Sequence, residues 1–410
     1  MENNQHSGAL SRLLILLGLA VLAVGFWLFA PNRPLLHDDL LVLDAHLDTP
    51  AVLDRPGFDI TARHDPHHDF SQVDVPRMRD GGLDGGFWVI YTPQGPLTED
   101  GFAAALAHAR HRNTLIDDMV ASHSEIFAHA TLAEHAAPIA AAGKRVVFKS
   151  IENAYPLGMD VSLLDEFYAK GVRMIGLVHM SNNQFADSST DKNGPKWGGL
   201  SPLGRQLVER ANALGMVIDA SHAHDATLAQ LIELSRTPII LSHSGAKHIF
   251  DHPRNVPDDL LQKLAALGGV IHINSLSGYL KTLQSDPERR PALMALYGDL
   301  RANPPQTLAE QDAFLARRRA IDAQYPPDFA DFADVMAHIR HTLTILGPQH
   351  VGIGLDWDGG GGVAALHDIA ALPKITQAMQ RAGYSRQQCS DVWSGNLLRL
   401  LRQAHAARQH

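Results

Sequence analysis

Residues 201–222 read SPLGRQLVERANALGMVIDASH, and they contain one complete unit of the fold. Ser201 is of N-cap type, and Pro202 suits the first helical position, where its missing N–H costs nothing. Leu203, Leu207, Ala211 and Leu214 recur at helical spacing as one apolar stripe, and Gly215 closes the helix. Met216–Ala220 is then a short β-rich run, delivering Asp219-Ala220-Ser221-His222 at its end.

Working outward, the unit repeats. Eight apolar runs alternate with helical stretches: 41–47, 86–92, 146–151, 172–178, 216–220, 238–241, 269–274 and 351–355. Near-continuous hydrophobicity within the runs says that both faces are buried, as in a parallel sheet built from βα units. Asn255 and Pro257 open a further helix that Gly268 ends. Eight such strands predict an α/β fold, a (β/α)8 TIM-type barrel over residues 41–405. An open doubly wound sheet is the alternative, but no dinucleotide-type glycine fingerprint follows any strand. Residues 280–328 break the alternation. Two charged helical pieces, 286–297 and 308–323, are set off by Pro304-Pro305 and Pro326-Pro327. This helical insertion after strand seven reads as a lid or wall on the active face, or as purely structural.

The composition is that of a globular chain, 45% hydrophobic and 19% charged, which excludes a disordered one. With 35 basic against 44 acidic residues the net charge is −9, so nucleic acid is not expected as a partner. The single cysteine, Cys389, rules out an intrachain disulfide and a thiolate-built metal site, and reads as a small buried apolar residue. The 24 histidines leave imidazole and carboxylate as the metal chemistry.

The N-terminus differs. After a tail of residues 1–12, no charge occurs between Arg12 and Arg33, and the run 13–30 has the roughly 20-residue apolar length needed to cross a bilayer. Trp27 and Phe29 suit an interfacial belt, and Pro31 makes the boundary a poor cleavage site. We read one N-terminal transmembrane helix as an uncleaved anchor, with a cleaved signal segment as its rival. A linker, 31–40, follows. Arg12 favours a cytoplasmic N-terminus, which puts the barrel on the extracytoplasmic side, the periplasmic side in a bacterium.

In such a barrel chemistry sits at the C-terminal strand ends. Strand one ends in Asp44-Ala45-His46-Leu47-Asp48, where a period of two puts His46 and Asp48 on one face. Strand three delivers Glu152, strand four His179, strand five Asp219 and His222, strand six His243, and strand eight Asp356-Trp357-Asp358. Three His, one Asp and one Glu suffice for two divalent ions if the Glu bridges them. Oxygen and imidazole donors suit zinc, with manganese or cobalt as alternatives. Each fragment alone is weak; their arrival at one rim is what carries the reading. His64, His67 and His68 lie in a polar, Pro-containing stretch and read as a solvated loop. His338 and His341 read as surface groups of a helix. Lys149 has opposite strand parity to Glu152, so only one of the two can point inward. The glycines 359–362 read as a flexible segment.

These motifs together resemble the zinc-dependent membrane dipeptidases, metallopeptidases of the amidohydrolase superfamily. The likeness covers nearly all of the chain after residue 40. It rests on residues 44–48, on Glu152, on His179 with Asn182 and Ala186-Asp187, and on the runs 199–205, 218–222, 242–244, 254–259 and 351–359. It implies that His46 and Asp48 bind one zinc, that His222 and His243 bind the other, and that Glu152 bridges them. It implies further that His179 steadies the oxyanion and that Arg254 pairs with the free C-terminal carboxylate of a small dipeptide. Asp356 would carry the proton from water to the leaving amine, with a metal-bridging hydroxide as nucleophile. The family's habit of dimerising extends the expectation to a homodimer. The chain departs from the pattern at Asn153-Ala154-Tyr155-Pro156, at Asn274-Ser275-Leu276 and in the insertion, which puts substrate choice in doubt. The alternative is the same metal centre acting on another small amide, a lactam or a tailored peptide metabolite. A non-catalytic anchored binding protein is a third reading.

Overall fold

The computed structural model describes residues 36–409. The expected membrane anchor at 13–30 lies outside these residues; among them, no helix is long and apolar enough to cross a membrane. The chain divides into two units, Met1–Asp39 and Leu40–His410. Of the first, only the single 3-10 turn Leu36–Asp39 is described.

In the second unit each of the eight apolar runs becomes a strand. They are β1 (Leu43–Leu47), β2 (Gly85–Tyr91), β3 (Arg145–Glu152), β4 (Val172–Gly176), β5 (Val217–Asp219), β6 (Ile240–Ala246), β7 (Val270–Ile273) and β8 (Val351–Ile353). They lie side by side in chain order, and every pairing is parallel. The seam between β8 and β1 is drawn together by one parallel bridge, Leu47 to Trp357, where the Asp48 N–H donates to the Trp357 carbonyl at 2.9 Å. The result is a nearly closed TIM-type α/β barrel.

The helix at 202–214 forms as its sequence dictates. Ser201 Oγ accepts from the Gly204 N–H at 3.0 Å, and Gly215 takes the left-handed conformation that closes it. The helix Asp258–Ala266 is capped by Pro257 and not opened at Asn255, because Asn255 and Val256 pair with Gly245 and Ala246 as a short extra strand. That pairing also explains why β6 runs five residues beyond its expected end at Leu241, so that His243 lies within a strand. A further short strand, Phe127–His129, pairs with β3 on the side of the sheet path.

The apolar core sits toward one end. Leu43, Phe87, Phe148, Met174, Val217, Ile240 and Val270 cluster with Leu397, Leu400, Leu401 and Ala404 of the helix Asn396–Ala406. A Leu-rich helical face plugs the amino-terminal ends of the strands, and the buried polar residues collect at the other end. The irregular segment after β7 carries two helices, Arg289–Ala302 and Leu308–Gln324, close to the expected pieces.

Two expectations fail here. His338 is fully buried, not at the surface: its Nδ1 accepts from the Ala246 N–H at 3.0 Å, and burial pulls its pKa down to about 4. A helix packed against β6 buries this position, where His338 shares the inner face with Val335, Ile339 and Thr342. The glycine run is not a flexible spacer either. A Cβ on Gly361 would stand 1.9 Å from the Leu355 carbonyl oxygen, and one on Gly359 would stand 2.0 Å from Asp48 Oδ2. Backbone is packed where no side chain fits.

Candidate metal centre

Four groups of His and carboxylates among the described residues have the spacing of metal ligands. Three of them interlock through His46 and Glu152: His46–Glu152–His243, Glu152–His179–His222, and His46–Asp48–Asp356. Strand order explains the convergence. Glu152 closes β3 in register with Tyr91 of β2, His46 lies in β1, and His243 lies in β6. His222 and Asp356 sit just past β5 and β8 with φ near +67° and +65°. Such left-handed non-glycine residues cost about 1–3 kcal/mol each and cluster at functional sites.

His46 Nε2 lies 3.4 Å from Asp48 Oδ2, 3.6 Å from Glu152 Oε2 and 4.0 Å from Asp356 Oδ1. On the other side, Glu152 Oε1 stands 3.0 Å from His222 Nε2 and 3.4 Å from His243 Nε2. The two histidine Nε2 atoms are 2.8 Å apart. Glu152 thus has one oxygen turned to each half of the cluster. His179 is half-buried, with Nε2 at 3.9 Å from Glu152 Oε1 and Nδ1 at 3.5 Å from the Tyr91 hydroxyl.

Charge states follow from burial and neighbours. Burial drives the His222 and His243 imidazoles well below their usual range, and nearby Arg254 adds to the effect in both. Burial likewise lowers His179. Burial alone would raise Glu152, but His46, His179 and the hydrogen bond from His222 outweigh it and hold this carboxylate well below its ordinary value. Burial would lower His46, yet Glu152 and Asp48 raise it well above. Asp356 is pushed well up, by burial first and by repulsion from Asp48 next.

A second layer that the sequence did not reveal holds these side chains in place. Asp219 Oδ1 accepts the backbone N–H groups of Ser221 and Ser242, both at 2.9 Å, and its Oδ2 accepts from Ser242 Oγ at 2.5 Å. Ser242 has one hydroxyl proton, and this bond uses it. Its contact with His243 Nδ1 at 2.8 Å therefore makes the ring the donor. The His243 Nε2 is left as a bare lone pair, the form that a metal ligand needs. Asp44, also buried, accepts from the backbone of His46 and Leu355, and burial lifts it to about 7.

These residues fit a divalent cation. Two neutral imidazole nitrogens face each other beside an anionic carboxylate, while His46 Nε2 and Asp48 Oδ1 are buried without a hydrogen-bond partner. Among the described residues these two buried atoms are orphaned, and a cation set between them would satisfy both. Imidazole and carboxylate donors without thiolate suit zinc, manganese or cobalt.

Arg254 stands at the edge of this cluster. It is buried, its Nη2 donates to the His243 carbonyl at 2.9 Å, and its guanidinium lies over the Tyr279 ring at 5.2 Å. Among the described residues its hydrogen bonds go only to neutral oxygens, and its Nε has none.

The histidines of the 64–68 stretch lie apart from this cluster. His64 is held by Asp69 and by the Asp59 carbonyl, while His67 and His68 are exposed, as a loop requires. Lys149 points away from the site and bonds Asn113 and Asp117, as its parity demanded. His341 is half-buried and bonds Asp258 at 2.9 Å; with His248 these form the fourth group, apart from the centre.

The sequence profile described as Membrane dipeptidase (Peptidase family M19) matches residues 32–410. The chain belongs to this family. Membership makes it a metallo-dipeptidase and implies a metal cofactor. The chain is 30% identical over 380 residues to dipeptidase 3 of Macaca fascicularis, covering 90% of this chain and 66% of that protein. It is 30% identical over 351 residues to dipeptidase aclJ of Aspergillus oryzae, covering 83% and 72%. The chain spans about two thirds of the length of dipeptidase 3. Among solved structures, the probable dipeptidase PvdM from Pseudomonas aeruginosa superposes with a TM-score of 0.76 at 29% identity, covering 91% of this chain and 97% of that one.

Proposed function

We propose that this member of the family is a binuclear zinc dipeptidase that cleaves small dipeptides carrying a free C-terminal carboxylate. The observation that carries the reading is Arg254. A buried guanidinium bonded only to neutral acceptors, beside a cluster of metal-type ligands, calls for an anion. A bidentate carboxylate matches its shape, and the substrate's terminus supplies one.

His46 and Asp48 would hold one ion, His222 and His243 the other, and Glu152 would bridge them through its two oxygens. Bound there, the metal pair supplies Lewis-acid activation of the amide carbonyl and lowers the pKa of the attacking water. The chain's own groups do the rest. Arg254 fixes the carboxylate end and so aims the scissile amide at Glu152. His179, on the open side of Glu152, would donate to the carbonyl oxygen as it gains charge. Asp356 has the raised affinity for protons that a carrier from water to the leaving amine needs. The uncharged run 13–30 supports a membrane-anchored enzyme with its barrel extracytoplasmic.

The test is hydrolysis of a dipeptide panel by the zinc-loaded enzyme, with free and amidated C-termini compared. Chelator-sensitive cleavage of the free-carboxylate peptides alone is expected, and Glu152→Gln is expected to lose both bound metal and activity. Full metal content and full activity in Glu152→Gln would overturn the reading.

A further inference from the structure

Beside the ligand cluster lies a second space, a cavity of about 690 Å³. One wall is the glycine segment 359–362. The other is the insertion, through Tyr297 on its first helix and Arg318 and Arg319 on its second. Gly359 borders both spaces. It lines the cavity, and a Cβ on it would stand 2.0 Å from Asp48 Oδ2 and 2.3 Å from Asp356 Oδ1. The volume lies within the roughly 300–1,000 Å³ range of ligand pockets.

The cations around this cavity are not equivalent. Arg318 pairs with Asp322, which Arg289 also engages at 2.6 Å. Arg319 donates to the His68 carbonyl at 2.7 Å. Arg55 has no such partner: among the described residues its guanidinium makes no hydrogen bond or ion pair. The carboxylates around it are engaged elsewhere. Asp54 pairs with His111 and Arg112, Asp69 with His64, and Asp358 accepts from Thr49 Oγ1 and the Gln72 N–H, both at 2.7 Å. Burial lowers the Arg55 pKa, and the nearby Asp358, Asp69 and Asp54 carboxylates offset this only in part.

The direction of the substrate follows from the two arginines. Arg254 contacts His243 and Ser244 on the β6 side of the cluster, while the cavity adjoins Asp48 and Asp356 on the β1 and β8 side. A dipeptide with its carboxylate on Arg254 therefore turns its amino-terminal residue toward Gly359 and the cavity.

We propose that this cavity is a subsite for the side chain of the substrate's amino-terminal residue, and that Arg55 selects an acidic side chain there, as in glutamyl and aspartyl dipeptides. The inference rests on the dipeptidase reading above. The experiment compares kcat/KM for Glu-Ala and its neutral isostere Gln-Ala in the zinc-loaded full chain, in wild type, Arg55→Gln and Arg55→Lys. A charge-assisted hydrogen bond corresponds to about a tenfold or greater preference for Glu-Ala, carried by KM. The preference is expected to collapse toward unity in Arg55→Gln and to survive in part in Arg55→Lys. A ratio is insensitive to the fraction of enzyme folded, so partial misfolding does not imitate this result. Equal rates for the two peptides in wild type, or an undiminished preference in Arg55→Gln, overturn the subsite. Should no dipeptide be cleaved, the dipeptidase reading fails, and calorimetry with glutarate decides the subsite separately. Saturable binding lost in Arg55→Gln supports it, and no binding by wild type overturns it.

Discussion

Replacing Ser242 by Ala removes one oxygen that touches no substrate, yet it should loosen the metal. Ser242 Oγ donates to Asp219 Oδ2 at 2.5 Å and accepts from His243 Nδ1 at 2.8 Å. Without it, a buried ring N–H loses its acceptor, at a cost of about 1–3 kcal/mol. The ring can escape that cost by moving its proton to Nε2, which destroys the lone pair facing Glu152 and His222. Either route costs affinity: the bond is lost in one and the ligand's tautomer in the other. Outer-layer partners of this kind are worth about 10–100-fold in metal affinity, or about 1.4–2.7 kcal/mol. The assay is competition for zinc between metal-free enzyme and a chromophoric chelator, alongside urea unfolding of the metal-free protein. Ser242→Ala should bind zinc at least tenfold more weakly while the metal-free form loses about 1–3 kcal/mol. A folded Ser242→Ala enzyme with zinc affinity within about twofold of wild type would refute the tautomer argument, since the relay would then contribute far less than such partners do.

Three further outcomes are expected. Gly359→Ala should fold at a cost of about 1–3 kcal/mol but lose metal and activity, because its Cβ meets Asp48 and Asp356; retention of both on metal analysis and assay would count against the packing described. Arg77→Met should destabilise by about 3–5 kcal/mol in urea titration, because Arg77 Nε lies 2.6 Å from a fully buried Asp74 carboxylate left uncompensated. His338, lowered to about 4 in the fold, stays neutral where the unfolded chain protonates. Its contribution is therefore complete above about pH 6.5 and is lost as pH falls toward 4, at most about 3 kcal/mol. His338→Asn keeps an acceptor near the Nδ1 position and should show a flatter loss of stability over that window; parallel pH profiles would contradict the assignment.

Much of the barrel was legible because strands and caps are local. Ser201, Pro202 and Gly215 state where one helix starts and stops, and the opposite parity of Lys149 and Glu152 admits only one of them to the site. The convergence of histidines and carboxylates at the strand ends was legible too, since each lies within a few residues of an apolar run. His338 misled because it was read together with His341, whereas it lies on the buried face with Val335 and Ile339. The length of β6 misled because its partner, Asn255–Val256, arrives from beyond a loop.

What the sequence determined by itself was the set of strands, their order and the chemistry carried to their ends. What only the tertiary structure decided was how those ends are wired. It set the proton on His243 through Asp219 and Ser242, the close approach of Gly359 to two carboxylates, and a guanidinium of Arg55 left without a partner among the described residues. The physical reason is distance along the chain. Thr49 and Asp358 share a hydrogen bond across 309 residues. Periodicity and capping act over a few residues, whereas such a contact exists only once the barrel brings β8 against β1.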